Sequence, residues 1–154
     1  MALTLRSTAL KQGETIPTEH TCDGKNLSPP FSWEGAPEGT ASFLLVCDDP
    51  TATGGVFRHW AAYNIPGTWQ SLPGGFGPET LEPGFMQAIN DFGKPGYGGP
   101  CPPKGDRPHA YHVRLTALSS MLISPGPSAT CVEIMRLAEP YRLEFVDLIS
   151  FYGR

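Results

Sequence analysis

Clustered positive charge is absent from this chain. Its eleven Lys and Arg are scattered among fifteen Asp and Glu, for a formal net charge of −4. A nucleic-acid surface needs grouped basic residues to displace counterions from phosphates, so that class of partner is excluded. Long apolar runs are absent too. No stretch approaches the ~18 residues that cross a bilayer, and stable membrane insertion is not expected. Residues 1–7 lack the apolar centre of a signal peptide, which makes the cytoplasm the default location unless a leader has been removed. There is no internal repeat, no linker, no C-x-x-C pair and no G-x-S-x-G elbow, so neither a zinc site of the usual spacing nor a standard hydrolase nucleophile is signalled. No cofactor is expected. Cysteine is sparse: Cys22, Cys47, Cys101 and Cys131. In a reducing cytoplasm they read as four free thiols, three of them buried, with a Cys22–Cys101 disulfide as the alternative.

Glycine and proline, by contrast, are plentiful, at 18 and 17 of 154 residues. They fall as short clusters between apolar runs, the pattern of a mostly β chain with many short strands and tight turns. The length fits a single domain spanning 1–154. The firmest strand is 41–48, apolar on both faces and therefore central and buried. A second is expected over 58–65, ended by Pro66-Gly67. A third, over 109–118, alternates, with Tyr111, Val113, Leu115 and Ala117 on one face and His112, Arg114 and Thr116 on the other. A last strand is expected over 143–151, with Leu143, Phe145, Ile149 and Phe151 sharing a face. One helix is predicted over 131–139. Thr130 and Glu133 supply a capping box, Cys131, Ile134, Met135 and Ala138 its apolar side, and Pro140 its end. Residues 27–33 read as strand and turn. The segment 66–108 has no clear period; a connection that long is usually functional or contains short strands.

Ionisable residues sit at the ends of these strands. Asp49 closes the first, His59 opens the second, and His109 opens the third, followed by Tyr111. If the first two strands are antiparallel neighbours and the third runs parallel to the second, these groups meet at one edge of the sheet. Two imidazoles, a phenol and the amides of the Gly-rich loop 96–105 would suit a small anion. In this reading Asp49 accepts from His59 Nδ1, turning Nε2–H toward the ligand. The alternative is two satisfied histidines near a core. Trp33 and Trp60 are expected in the core, Trp60 on the opposite face from His59. His20 has no such context, His112 reads as exposed, and Arg58 and Lys104 could steer anions or simply be solvated. A hydrolase using Asp49 and His59 with Ser28, Thr51, Thr53 or Cys101 as nucleophile is a distant possibility, and a metal held by two His and one Asp a more distant one.

Six motifs then occur in a telling order: Ser28-Pro29-Pro30-x-Ser32-Trp33, Asp48-Asp49-Pro50, His59-Trp60, Asn90-Asp91-Phe92-Gly93, Gly96-Tyr97-Gly98-Gly99-Pro100-Cys101-Pro102-Pro103 and His109-x-Tyr111. Together with the closing Gly153-Arg154, they resemble the phosphatidylethanolamine-binding protein family in its small bacterial and archaeal, Raf-kinase-inhibitor-like branch. The resemblance runs from about Asp23 to the C-terminus. It implies a central antiparallel sheet packed on a smaller sheet with a few short helices. It also implies an anion pocket walled by Asp49 and His59 on one side and His109 and Tyr111 on the other, with backbone around Gly99, Pro100 and Cys101 as its floor. Such pockets commonly hold phosphate, sulfate, acetate or a phosphoethanolamine headgroup. Kinase or protease inhibition by eukaryotic relatives does not carry over.

Two departures stand out. The family's Asp-Pro-Asp-x-Pro reads Asp49-Pro50-Thr51-Ala52-Thr53, which implies a less acidic rim and a looser loop. Residues 85–89 are less polar than the family pattern. The expectation is thus a non-catalytic binding protein for a small phosphate-, acetate- or phosphoethanolamine-like anion. The alternative is an interaction or inhibitor module whose pocket reads a phosphorylated or acidic side chain. The oligomeric state and any protein partner are not legible.

Overall fold

The structure is a computed structural model that describes residues 2–76, 84–123 and 125–154. Part of the aperiodic segment 66–108, namely 77–83, therefore lies outside the described residues, as does Met1. Strands β1 (Thr4–Arg6), β2 (Phe31–Glu34), β3 (Ser42–Asp49), β4 (Phe57–Pro66), β5 (Ser71–Leu72), β6 (Met86–Gln87), β7 (His109–Leu118) and β8 (Arg142–Tyr152) form two sheets, with helix α1 (Cys131–Ala138) before β8. The small sheet has the order β1-β2-β5 and the large one β6-β4-β3-β7-β8. All named strand pairs are antiparallel. This is the mostly β, two-sheet architecture that the resemblance implied.

Residues 42–49 form the middle strand because both of their faces are apolar. Phe43, Leu45 and Cys47 join the core between the two sheets, with Trp33, Trp60, Tyr111, Val113 and Leu115. Leu44 and Val46 face the other way, into a second cluster with Cys131, Ile134 and Ala138 of α1. The helix starts where the capping box starts it: the Thr130 side chain accepts from Glu133 N, and the Glu133 side chain accepts from Thr130 N. Each satisfies an amide that the first turn leaves free.

Strand β8 alternates as expected, with its apolar parity turned outward. Leu143, Phe145, Ile149 and Phe151 do share a face, but it is the outer one, and Leu143, Phe145 and Phe151 are exposed. The buried face carries Leu148, Ser150 and Tyr152. The Arg114 guanidinium lies 3.9 Å over the Phe145 ring, with that of Arg142 at 5.3 Å. These cation–π contacts shield apolar area that a core would otherwise take.

For the cysteines the alternative holds over the reading of four free thiols: Cys22 and Cys101 are joined in a disulfide, while Cys47 and Cys131 are free and buried. The bond ties the turn after Thr18–His20 to the Gly/Pro loop, and Cys22 N donates to Pro100 O at 3.1 Å alongside it. Closing a loop of this length restricts the unfolded chain, and replacing both cysteines by serine is expected to cost roughly 2–5 kcal/mol. Thiol titration of the unfolded, unreduced protein should count two reactive cysteines. Four would contradict the bond, and a denaturation midpoint unmoved by reductant would contradict its role.

Candidate functional site

The site grows from the C-terminal end of β3. Asp49 has the same parity as Phe43, Leu45 and Cys47, so its carboxylate points inward, and it is 2% exposed. A buried carboxylate must be paired and hydrogen-bonded to stay charged. One oxygen accepts from Thr51 N at 2.8 Å and Thr51 Oγ1 at 2.6 Å. The other faces His109 Nδ1 at 2.7 Å. Asp49 therefore orients His109, not His59 as the sequence suggested. The register explains this: β7 lies beside β3 and begins with His109, next to the strand end that carries Asp49.

His59 reaches the pocket by another device. The pairing of β3 with β4 steps from Cys47↔Trp60 to Asp48↔Arg58 and leaves His59 unpaired. This β-bulge re-aims the side chain, as bulges beside functional sites commonly do. His59 then packs on Tyr111, ring centres 5.4 Å apart, while Trp60 packs into the core against Tyr97 at 5.5 Å. The two residues share the inner face, which corrects the expectation of opposite faces. His59 Nδ1 donates to Gly98 O at 2.7 Å. In the neutral ring that leaves Nε2 without a proton, an acceptor where a donor was expected.

The loop that supplies Gly98 is packed without room for side chains. A Cβ on Gly98 would strike the Phe92 ring, and one on Gly99 the carbonyl of His20. Gly99 N donates to Asn26 Oδ1 at 2.8 Å, from an Asn held at φ 59°. The Gly99 amide is thus used within the fold, and neither Gly99 nor Pro100 lines the cleft, contrary to expectation. Cys101, Pro102 and Pro103 do, with Asp49, Ala52, Thr53, Phe57, His59, Phe92, His109 and Tyr111, around ≈ 220 Å³. Prolines carry no N–H, so Cys101 holds the one backbone donor of the 100–103 run. Asn90 sets the opposite wall. Its side chain donates to Gly96 O at 2.9 Å and accepts from Phe92 N at 2.9 Å, which stands Phe92 over Phe57 and His59.

Five lining residues escaped sequence reasoning as site residues: Ala52, Phe57, Phe92, Pro102 and Pro103. Asp106 also went unnoticed, although its Oδ2 is 3.1 Å from His109 Nε2. Its position three residues before His109 was the available signal. Thr51, noted only as a departure, is structural. Beyond its two bonds to Asp49, its hydroxyl accepts from Ala110 N at 3.2 Å. A carboxylate at position 51 could not donate to Asp49, so the Thr51 loop is pinned where a looser one was expected. Residues 85–89 form the β6 edge, and Gln87 accepts from Trp60 Nε1 at 2.7 Å. His20 is buried with Nδ1 2.8 Å from Leu27 O. His112 is half-buried in a groove on the far side of the large sheet, where Arg114–Asp147 and Arg142–Glu139 pair with each other. That groove is larger, ≈ 290 Å³, yet the buried ionisable groups converge on the smaller one, and volume does not decide between them. Among the described residues no group of three His, Cys, Asp or Glu is disposed to hold a metal ion.

The two histidines are driven apart. Burial holds the His59 pKa below its usual value despite its bond to Gly98 O. Burial also opposes charge on His109, but the hydrogen bonds to Asp49 and Asp106 outweigh it and raise that pKa. Burial pushes Tyr111 up, and Asp49 adds to the shift, so its hydroxyl stays protonated. The site therefore favours a proton on His109 over one on His59, leaves Nε2 bare in the neutral His59 ring, and sets the Tyr111 phenol beside both.

Comparison with known proteins bears on this arrangement. Residues 6–152 match the family model described as phosphatidylethanolamine-binding protein. A UPF0098 protein of Aquifex aeolicus is 48% identical over 130 residues, 83% of this chain and 76% of its own. One from Methanothermobacter thermautotrophicus is 39% identical over 157 residues, 99% of each chain. The crystal structure of Escherichia coli YbcL, described as a member of the mammalian PEBP family, superposes with a TM-score of 0.92 at 34% identity, covering 100% of this chain and 99% of that one.

A pH titration followed by histidine NMR should separate the two rings in opposite directions from the ordinary value of ~6.5. His109 is expected to lose its proton above it and His59 below it, and Asp49→Asn should bring His109 down. For His109 the sign means that its contribution to stability is complete below the unfolded pKa and lost as pH rises through the folded one. The reverse order of titration would contradict the assigned partners.

Proposed function

The chain belongs to the phosphatidylethanolamine-binding protein family, and on that premise we propose that it is a one-domain binding protein for a small phosphorylated or carboxylated anion, held without turnover. The anion would sit between His59, His109 and Tyr111, with Asp49 behind His109 and the 101–103 loop as floor. The observation that carries this reading is the convergence of His109, Tyr111 and His59 on one narrow cleft, with Asp49 buried behind His109. An anion gains from the His109 imidazolium and the Tyr111 hydroxyl in a site with little competing water. Phe57, Phe92, Pro102 and Pro103 surround it, so a ligand with an apolar portion next to its anionic group fits better than a bare ion.

Binding without turnover is favoured by the other employment of three of the four candidate nucleophiles, Thr53 being the fourth. The Cys101 sulfur is in the disulfide. Ser28 is fully buried and its hydroxyl accepts from Phe76 N at 3.0 Å. The Thr51 hydroxyl donates to Asp49. The exposed Phe92 at the rim favours, as a second reading, a partner's phosphorylated or acidic side chain as the bound group. No helix among the described residues is long and apolar enough to cross a membrane. A formed Cys22–Cys101 bond argues for an oxidising compartment, or a thermophile's cytoplasm, over the reducing cytoplasm that is the default from residues 1–7.

The bare nitrogen of His59 fixes how binding depends on pH. A fully deprotonated phosphate has no proton to offer it, so the complex must hold one more proton than its separated parts, either on His59 or on the ligand. Phosphoethanolamine affinity is therefore expected to fall about tenfold per pH unit above the ligand's second pKa of ~6. Calorimetry in buffers of different ionisation heat should show about one proton taken up per ligand bound. A flat affinity from pH 6.5 to 8.5 would contradict the proton assignment, and no binding at either end would contradict the anion site itself.

A further inference from the structure

We propose that Asp106 is a tethered competitor for this site: it occupies, on His109 Nε2, the place an incoming anion would take, and so sets a threshold that only anions with more contacts than a lone carboxylate can pass. The inference rests on the anion-site reading above and adds to it a residue that sets the affinity threshold common to all its anions.

The His109 ring lies between two carboxylates, Asp49 at 2.7 Å and Asp106 at 3.1 Å. They are not equivalent. The Asp49 side chain is 3% exposed and is also held by Thr51, so it is a fixed part of the frame. The Asp106 side chain is 40% exposed. Among the described residues its carboxylate has a single hydrogen-bond partner, His109. Its backbone is anchored separately. Asp106 N donates to Pro103 O at 3.2 Å, Gly105 N to Arg154 O at 2.9 Å, and Arg154 Nε to Pro102 O at 2.7 Å. Rotation of one side chain therefore frees His109 Nε2 without moving the loop. Asp106 is not among the residues lining the cleft and already borders a second hollow, with Gly13, Thr15, Pro108 and residues 151–154, so its side chain has room to swing clear of Nε2.

The charges make displacement necessary. With His109 charged and His59 neutral, the two aspartates leave the group one negative charge in excess. A second anion cannot simply be added on top of Asp106; it must replace it on Nε2–H. A tethered group acts at an effective concentration of ~mM or above. Acetate offers His109 the same functional group without the tether, so at lower concentration it loses the exchange. A hydrogen phosphate or a singly protonated phosphomonoester offers the same bond, a second oxygen for the Tyr111 hydroxyl, and a P–OH for the bare Nε2 of His59. Asp106 can make neither of the last two contacts.

The test is titration of the intact protein with inorganic phosphate and with acetate, in wild type, Asp106→Asn and Asp106→Ala. Asparagine removes the charge but keeps an oxygen that can hold Nε2–H, whereas alanine removes both. Under direct competition both ligands tighten in the order wild type, Asp106→Asn, Asp106→Ala, with a total gain of ~10-fold or more that is the same for each ligand. The pKa of ligand-free His109 falls alongside. Equal affinities in the two variants would show a long-range charge effect and overturn the proposal, and so would gains under twofold. Phosphate binding equally well to all three proteins would remove Asp106 from the account and leave the anion site standing. Failure of both anions to bind any of the three would overturn the site and the competitor together. The Asp49–His109 contact, read from the imidazole signals, shows that each variant keeps the frame.

Discussion

The Asp49–His109 pair is the constraint on which the rest of the site depends. A carboxylate in the core between the two sheets is tolerable only with a cationic partner and further donors, and losing that partner costs ~3–5 kcal/mol because the charge stays behind. That requirement binds three elements. Strand β3 must end at Asp49, β7 must begin beside it, and the chain after β3 must turn at once to bring Thr51 back onto the carboxylate. The Thr51 hydroxyl then reaches Ala110 N, so the turn is stitched to β7 as well. The register of the central strands and the position of the ligand-facing imidazole are thus settled by the same hydrogen bonds.

The fold was largely legible because its signals are local and redundant. The doubly apolar run around Phe43–Val46 announces a central strand, the alternation around Tyr111–Ala117 a half-buried one, and Thr130 with Glu133 a helix start. What local signals leave open is the choice between equivalent faces. The outer face of β8 looks like a core stripe, and only the three-dimensional placement of Arg114 and Arg142 over Phe145 shows why it is not. The Trp60–His59 relation failed for a related reason. A bulge adds a residue to one strand without leaving a signature in its own sequence, and every parity argument across it then inverts.

The site was legible as a set of residues and not as a set of bonds. Asp49, His59, His109 and Tyr111 meet as strand-end placement and the family resemblance both implied. Which histidine takes the carboxylate was beyond sequence reasoning, because both begin strands that flank β3. The bulge decides it, turning His59 toward the Gly98 carbonyl while His109 faces Asp49. The floor failed on chemistry that could have been weighed. A Gly-Gly-Pro-Cys-Pro-Pro run looks like an amide-rich cradle, yet its prolines supply no donors, and the tight approach of Gly99 to His20 and Asn26 commits its amide to the fold. The disulfide and the Arg154 contacts hold that loop as a rigid wall, with backbone donors largely turned away from the cleft.

If the cleft holds an anion as proposed, proton inventory, more than the number of histidines, determines what it accepts. Two imidazoles side by side suggest two donors, but the partners of their remote nitrogens make them opposites. Asp49 draws a proton onto His109, whose other N–H meets Asp106, while the Gly98 carbonyl holds the proton of His59 on Nδ1 and leaves Nε2 bare. A ligand that only accepts hydrogen bonds satisfies half of the site, and one that only donates satisfies the other half. Complementarity requires both functions within the span of a small group, which a singly protonated phosphate has and a carboxylate lacks. The same reasoning accounts for the buried position of Asp49. Moved into contact with the ligand it would repel the anion, whereas behind His109 its charge sustains the imidazolium that attracts it.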